Sequence, residues 1–360
     1  MVMEEGESEK MGEGNRESCW VGKDKILVQT SGEGNISDFY IMDLRGNKIT
    51  KLEGCVLQNH NIPGGLIVVD SVIYAVGRPE DEDDENENSE SGDEDYHVHS
   101  GASFLDLTDL SGGWKDIGRG MLNSDRKWPS CTSLHNKIFV FSASSYPSAT
   151  WAFGEFYDNT KNKTTKNKKK KNVWTGIPLP PLSGDRNMSF MDPLISDPKN
   201  DRIIVYYDSI NSLYAFYPKN NHMWVCLDNN LLSWGAVPSP SPIDNVIYFI
   251  HSCEYVSHTK CITAYDLLSK KTLKVSWSAC SPFGTLQLAK LTFLQMLYLG
   301  INILCLPAQV PSNRFYTETL FNFYRFQVSR ISLEEVLITP LSHHLLPVEG
   351  FMSTVNFAPL

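Results

Sequence analysis

Apolar residues in this chain come in short runs rather than at the three-to-four spacing of helices. "KILVQTS" at 25, "VIYAVGR" at 72, "KIFVFSA" at 137, "RIIVYYD" at 202, "VIYFIHS" at 246 and "MLYLGIN" at 296 each hold a block of aliphatic and aromatic residues between polar flanks. That length and spelling suit a buried strand. A turn precedes most of them, as "GKD", "VDS", "LHN", "PKND" and "PIDN". After each run and a polar stretch of variable length comes a second, aromatic-bearing strand: "DFYIMDL", "ASFLDL", "GEFYD", "SLYAFYP", "CITAYDL" and "NFYRFQV". Aspartate often closes this second strand, at Asp43, Asp106, Asp158 and Asp266. A tryptophan follows in the middle units, at Trp114, Trp174, Trp224 and Trp277, where the first and last units place Lys51 and Val336.

Units of roughly fifty residues, each with an inner strand, a turn, a second strand and an outer pair, have the period of a propeller blade. The expected fold is all-β, a β-propeller of six four-stranded blades, with seven as the alternative. A lone blade cannot bury both faces, so the blades stack round an axis, with tryptophan packed between neighbours. The glycine pair in "IPGGLIVVDSVIYAVGRP" is not read as a phosphate loop, because strand spelling rather than a helix follows it. Gly64-Gly65 is expected to be a turn leading into the first strand of the second blade. The closing stretch "GFMSTVNFAPL" has strand spelling and no blade of its own, so it is expected to pair with the first unit and close the ring.

Expected boundaries are an acidic disordered tail at 1–18 and a single propeller over 19–360, with an acidic insert at 79–96 and a lysine-rich insert at 159–172. Both inserts fall between strands, where the architecture tolerates extra length. "LTFLQMLYLGINILCLP" (291–307) is apolar but short, with Thr292, Gln295 and Asn302 in it. It reads as two strands joined near Gly300 rather than a membrane span.

In its "IYV"-type strand, "YD"-type strand and following tryptophan, as in "VIYFIHS…TAYDLLSKKTLKVSW", the chain resembles the kelch family over about residues 20–357. It departs from the family at the Gly-Gly pair that usually ends the second strand. Gly77-Arg78, Ser142-Ala143, Tyr207-Asp208 and His251-Ser252 stand there instead. The resemblance implies a protein-recognition propeller, a kind often found in ubiquitin-ligase complexes. Strand spelling begins near Trp20, which leaves no room ahead of it for the F-box or BTB domain that many members carry.

The formal charge of -10 is unevenly placed. Residues 1–17 carry -4, residues 80–95 carry -11 and residues 161–171 carry +7, which leaves -2 for the rest. The body is near neutral and the charge sits in exposed segments. The acidic run reads as a solvated loop, with a lure for a basic partner, or phosphorylation at Ser89 and Ser91, as functional alternatives. Lys161, Lys163, Lys166, Lys168, Lys169, Lys170 and Lys171 form a candidate localisation or electrostatic loop. It lacks the arginines and aromatics of specific nucleic-acid readout. A further reading pairs the two charged loops with each other, weakly at physiological salt.

Chemistry is sparse. Eight cysteines form no CxxC pair, and the polar N-terminus is no secretion signal, so reduced thiols in the cytoplasm or nucleus are expected. His97 and His99 in "HVH" share a strand face, but no third ligand is apparent. His343 and His344 are expected in a loop. No cofactor, metal or catalytic set is expected, and neither a membrane nor a specific nucleic acid. Kelch-like propellers include galactose oxidase-like copper enzymes, but no matching ligand spacing appears here. The leading expectation is a monomeric, non-catalytic protein-interaction module. Its alternatives are an enzyme with a site at the central channel and a nuclear scaffold using the lysine loop. Tyr146, Pro147, Trp151, Trp234 and Pro238 are candidate partner contacts, since aromatic side chains dominate interfaces.

Overall fold

The computed structural model describes residues 24–31, 37–53, 55, 65–76, 102–117, 129–141, 153–158, 174–181, 191–231, 237–252, 260–278, 292–293, 295–309, 318–349 and 354–360. Counting outward from the centre, the first sheet runs β25 (Thr354–Pro359), β1 (Lys25–Ser31), β2 (Ser37–Asp43), β3 (Lys48–Lys51). The second runs β4 (Gly65–Val69), β5 (Val72–Val76), β6 (Ala102–Asp106), β7 (Lys115–Asp116). The third runs β8 (Ser130–Leu134), β9 (Lys137–Phe141), β10 (Gly154–Asp158), β11 (Trp174–Ile177). The fourth runs β12 (Met191–Asp197), β13 (Arg202–Tyr207), β14 (Ser212–Tyr217), β15 (Met223–Asp228).

The remaining strands form one sheet of two antiparallel groups. The fifth group is β16 (Val237–Pro238), β17 (Val246–Ser252), β18 (Lys260–Asp266) and β19 (Lys271–Trp277). In the sixth, β20 (Thr292–Phe293) and β21 (Leu297–Gly300) both pair with β22 (Ile303–Gln309), followed by β23 (Glu318–Arg330) and β24 (Glu335–Glu349). The two groups meet edge to edge where β19 and β24 pair in parallel, from Lys274↔Glu335 to Trp277↔Ile338.

Buried residues gather at the junctions between consecutive sheets. Leu27 and Phe39 meet Ile73 and Leu105. Tyr74 and Val76 meet Ile138, Val140 and Trp174. Phe139 and Phe141 meet Val205 and Phe216, and Tyr206 meets Ile247 and Phe249. Tyr248 and Ala264 meet Leu304 and Phe326. Cys305 and Phe323 meet Ile26, Val28 and Phe357, so the last group packs on the first sheet and the ring closes. A closed ring of radial, mainly antiparallel sheets is a β-propeller. β25 completes the closure by pairing with β1, as expected from its strand spelling.

One expectation needs correcting. The strongly apolar runs are the second strands from the centre (β1, β5, β9, β13, β17), not the inner ones. Only "MLYLGIN" falls on an inner strand, β21. Second strands are covered on both faces by neighbouring sheets and so need apolar residues throughout. The inner strands border the channel and include spellings as polar as "SCTSL" and as short as "VP".

Two recurring residues do the expected structural work. Asp43 Oδ1 accepts from the Arg45 and Gly46 amides, Asp106 Oδ1 from the Thr108 amide and hydroxyl, and Asp266 Oδ1 from the Leu268 amide. Each is an Asx-type turn that reverses the chain after the third strand. The tryptophans tie a sheet to the preceding one. Trp114 Nε1 donates to the Cys55 carbonyl at 3.1 Å, and Trp224 Nε1 to the Pro178 carbonyl at 2.9 Å. Trp277 differs: it lies in β19 and meets Phe326 edge-on across the parallel seam. There Val336, which stands in place of a tryptophan in the last unit, is buried opposite Val275.

Gly65 opens β4 itself. A Cβ there would lie 2.8 Å from the Pro129 carbonyl oxygen and against Cys131 Sγ, on the neighbouring inner strand. Only glycine lets the two inner strands approach this closely. Gly65→Val is expected to cost about 3 kcal/mol, at the upper end for overpacking because a backbone oxygen must move. Denaturant unfolding measures this, and unchanged stability would mean that the inner strands can spread apart.

Candidate functional site

The inner strands run in the same direction. Gly65 abuts Cys131 near the starts of β4 and β8, while Ser196 near the end of β12 donates from Oγ to the Ser133 carbonyl and from its amide to the Pro240 carbonyl. The turns between first and second strands therefore share one end of the ring with the turns between third and fourth strands. Left-handed residues make many of them tight: Asp70, His135-Asn136, Asp201, Asp244-Asn245 and Ile301-Asn302 at the first kind, Asn47, Asn221-His222 and Lys270 at the second. Asn and Asp tolerate this conformation better than most residues.

The charged inserts leave from opposite ends. The acidic one departs after Val76 and rejoins at Ala102, at the end away from these turns. The lysine-rich one departs after Asp158, beside Lys137, and rejoins at Trp174, at the turn-bearing end. Their attachment points thus do not bring them together. Lys161, Lys163, Lys166, Lys168–Lys171, Ser89, Ser91, His97 and His99 lie outside the described residues, as do Tyr146, Pro147, Trp151 and Trp234. Pro238 is described: it sits in β16 opposite Phe249 and is buried, a packing residue rather than an exposed contact.

A channel of about 460 Å³ runs along the inner strands. Ser130, Thr132, Ser133, Ser196 and Ser241 line it together with Gln295, whose amide donates to the Phe357 carbonyl. Where His135 and Pro198 reach the lining, charge appears. Asp201 lies 2.8 Å from His135 Nε2 and 2.8 Å from Lys219 Nζ, which links the third and fourth sheets. Among the described residues no three His, Cys, Asp or Glu side chains gather as a metal site. His343 and His344 are not in a loop but in β24, where the alternation turns them to opposite faces. The long β23–β24 hairpin carries the strand through Pro340 with an irregular register rather than ending it.

Cys55, Cys131, Cys226 and Cys305 are not disulfide-bonded, and burial holds the Cys305 thiol protonated well above its usual range. Cys261 is disulfide-bonded, so the expectation of wholly reduced cysteines does not hold for this structure.

The feature that sequence reading missed lies at the turn-bearing end of the seam. Leu268, in the β18–β19 turn, is 73% exposed, and Leu333, in the β23–β24 turn, is 81% exposed. Ile331 and Ile301 on the same end are also exposed. Arg330 locks the two leucine-bearing turns together, its Nη2 donating to Asp266 Oδ2 at 2.9 Å and to the Leu333 carbonyl at 3.0 Å. Burial alone would raise the Asp266 pKa, but bonds from Arg330, the Leu268 amide and Ser269 outweigh it and hold the carboxyl below its usual range. The turns are thus rigidly framed while their leucines face solvent. A leucine inside the polar turns "LLSKK" and "ISLEE" was the available signal, out of step with the inward-outward alternation of the flanking strands.

No family model matches the chain, and no curated protein does. Among solved structures it is similar to a protein from Lactobacillus plantarum (10% identity, 93% of this chain and 99% of that one, TM-score 0.47). It is also similar to the periplasmic gluconolactonase PpgL of Pseudomonas aeruginosa (13% identity, 92% and 98%, TM-score 0.45) and to a chain of a nidogen–laminin complex (10% identity, 87% and 98%, TM-score 0.44). At these identities and scores the likenesses carry no argument about function.

Proposed function

We propose that this chain is a non-catalytic protein-binding module, a monomeric propeller of degenerate kelch type that docks a protein partner on the turn-bearing end of its fifth and sixth groups. One observation carries the reading: Leu268 and Leu333 are exposed at the tips of two turns that the Asp266–Arg330 pair fixes to each other. Large aliphatic side chains clustered on a rigid frame are what an interface core needs, and monomeric surfaces rarely group them. Lys270 and Lys271 on one side and Glu334 on the other supply a polar rim. The lysine-rich insert, attached at the same end, is then an electrostatic aid to encounter or a localisation element.

The other reading, a small-molecule or enzyme site in the channel, draws support from the His135–Asp201 pair at its lining. One experiment separates the two. Both leucines are exposed, so a Leu268→Asp/Leu333→Asp variant is expected to keep its melting temperature. Tagged full-length protein is expected to co-purify a partner in stoichiometric amount, and the double variant to lose it. Equal recovery by both proteins, or stoichiometric metal in the purified sample, would overturn the binding-surface reading.

A further inference from the structure

Ser332 sits in the β23–β24 turn, next to Leu333, and Ile331, Ser332, Leu333 and Glu334 are all exposed. The Ile331 and Ser332 amides donate to the Glu335 carbonyl at 3.1 and 3.2 Å. Ser332 Oγ accepts from the Glu334 amide at 3.1 Å. The hydroxyl thus stands on a compact turn at the tip of a hairpin, where a second protein can reach it.

Two carboxylates follow this serine, Glu334 and Glu335. Glu335 is held by Lys274 and Ser276 of β19, whereas Glu334 is exposed. A serine followed closely by acids suits a kinase whose substrate groove is basic, since such enzymes select by charge pattern. Thr50, Ser103 and Thr263 also have a carboxylate three residues on, at Glu53, Asp106 and Asp266. Those three lie within β3, β6 and β18, and a hydroxyl built into a strand ladder reaches a kinase cleft only if the strand opens.

Arg330 makes the position sensitive to charge. Its Nε donates to the Ser332 carbonyl at 3.1 Å, while Nη2 serves Asp266 Oδ2 and the Leu333 carbonyl. The guanidinium that joins the two leucine-bearing turns therefore lies against the backbone of Ser332 itself. A phosphoserine carries about -1.5 to -2 charge at neutral pH, on oxygens that accept strongly from a guanidinium. It would compete with Asp266 for Arg330 from within the same turn, and it would stand beside Leu333.

We propose that Ser332 is a phosphorylation site for a serine kinase selective for acidic surroundings, and that its phosphate takes Arg330 from Asp266 and so disconnects the two turns. In the transfer, Ser332 Oγ attacks the γ-phosphorus of magnesium-bound ATP. The Oγ–P bond forms as the bond to the β,γ-bridging oxygen breaks, ADP leaves, and the hydroxyl proton passes to the base of the kinase. The modification switches the leucine surface off. That consequence rests on the docking reading given under the proposed function; the modification itself does not.

The test incubates full-length protein with ATP, magnesium and an acid-directed serine kinase, and maps phosphates by tandem mass spectrometry. Phosphate is expected on Ser332, at an initial rate that falls several-fold in Glu334→Gln. Hydrogen–deuterium exchange of the modified protein is expected to show a several-fold loss of protection in the β18–β19 turn, where the Leu268 amide bonds Asp266, with β13 and β14 unchanged. Ser332→Ala taken through the same treatment is expected to keep that protection, which removes phosphates elsewhere on the chain as the cause. Protein modified at other serines but not at Ser332 would overturn the proposal. So would a phosphate on Ser332 that leaves protection of the turn unchanged. Affinity for the co-purified partner is expected to fall several-fold on modification. A mapped phosphate that loosens the turn, with no partner recovered, would sink the docking reading alone. A recovered partner indifferent to the phosphate would sink the switch alone.

Discussion

Truncation after residue 353 is expected to abolish the cooperative thermal transition. The lost segment holds β25, the innermost strand of the first sheet, whose register with β1 runs from Ile26↔Pro359 to Ser31↔Thr354. Phe357 and Ala358 are buried in the clusters on the two sides of that sheet. The Phe357 ring meets Phe321 and Phe323 edge-on at 5.8 Å, its carbonyl accepts from Gln295, and the Leu360 amide donates to the Lys25 carbonyl. Removing a buried phenylalanine side chain alone costs about 3–5 kcal/mol, and a whole domain is stable by only about 5–15. Losing that ring together with a full strand ladder consumes most of such a margin. Near-ultraviolet circular dichroism on heating measures the outcome, and a peptide of residues 354–360 added in excess is expected to restore part of the signal. A truncated protein that melts within a few degrees of the full chain would show that the ring is held by its other junctions.

Trp224→Ala is expected to be the most costly single substitution, at about 4 kcal/mol. Its ring lies 5.1 Å from Phe216, 5.8 Å from Phe153 and 6.1 Å from Phe141, in the cluster that joins the third and fourth sheets. Its indole N–H also donates to the Pro178 carbonyl. Trp224→Phe keeps most of the ring and loses that hydrogen bond, so it is expected to cost only about 1–2 kcal/mol. Denaturant midpoints of the two variants separate packing from hydrogen bonding. Equal losses would mean that the tie to Pro178, not the aromatic cluster, dominates.

What the sequence made legible follows from where burial is symmetrical. Strands such as β5, β9 and β13 are pressed between neighbouring sheets and must be apolar on both faces, so "VIYAV", "KIFVF" and "RIIVYY" stand out. Asp43, Asp106 and Asp266 could be read because a carboxylate capping a turn is a local interaction with a local spelling. The inner strands were hard to place because channel-bordering positions accept Ser130, Thr132 and Ser133 as readily as leucine. The parallel seam could not be read at all, since it depends on how β19 and β24, remote in sequence, meet in space. The exposed Leu268 and Leu333 were hidden for the same reason: each is unremarkable within its own turn, and only Arg330 makes them neighbours. The histidines of β24 were misplaced because prolines at 340 and 347 spell a loop. A long two-stranded hairpin with one irregular step absorbs both.

The seam between β19 and β24, together with the return of β25 to β1, sets an order of events during synthesis. The second, third and fourth sheets are each built from consecutive stretches of chain and can form as the ribosome delivers them. The fifth group waits for β24 to cover its outer edge, and the first sheet waits for the final strand. A nascent chain stalled late in translation therefore carries two unfinished sheets at once, with Leu27, Phe39 and Val275 lacking part of their final cover. The beginning of the molecule is among the last parts to become resistant to proteolysis.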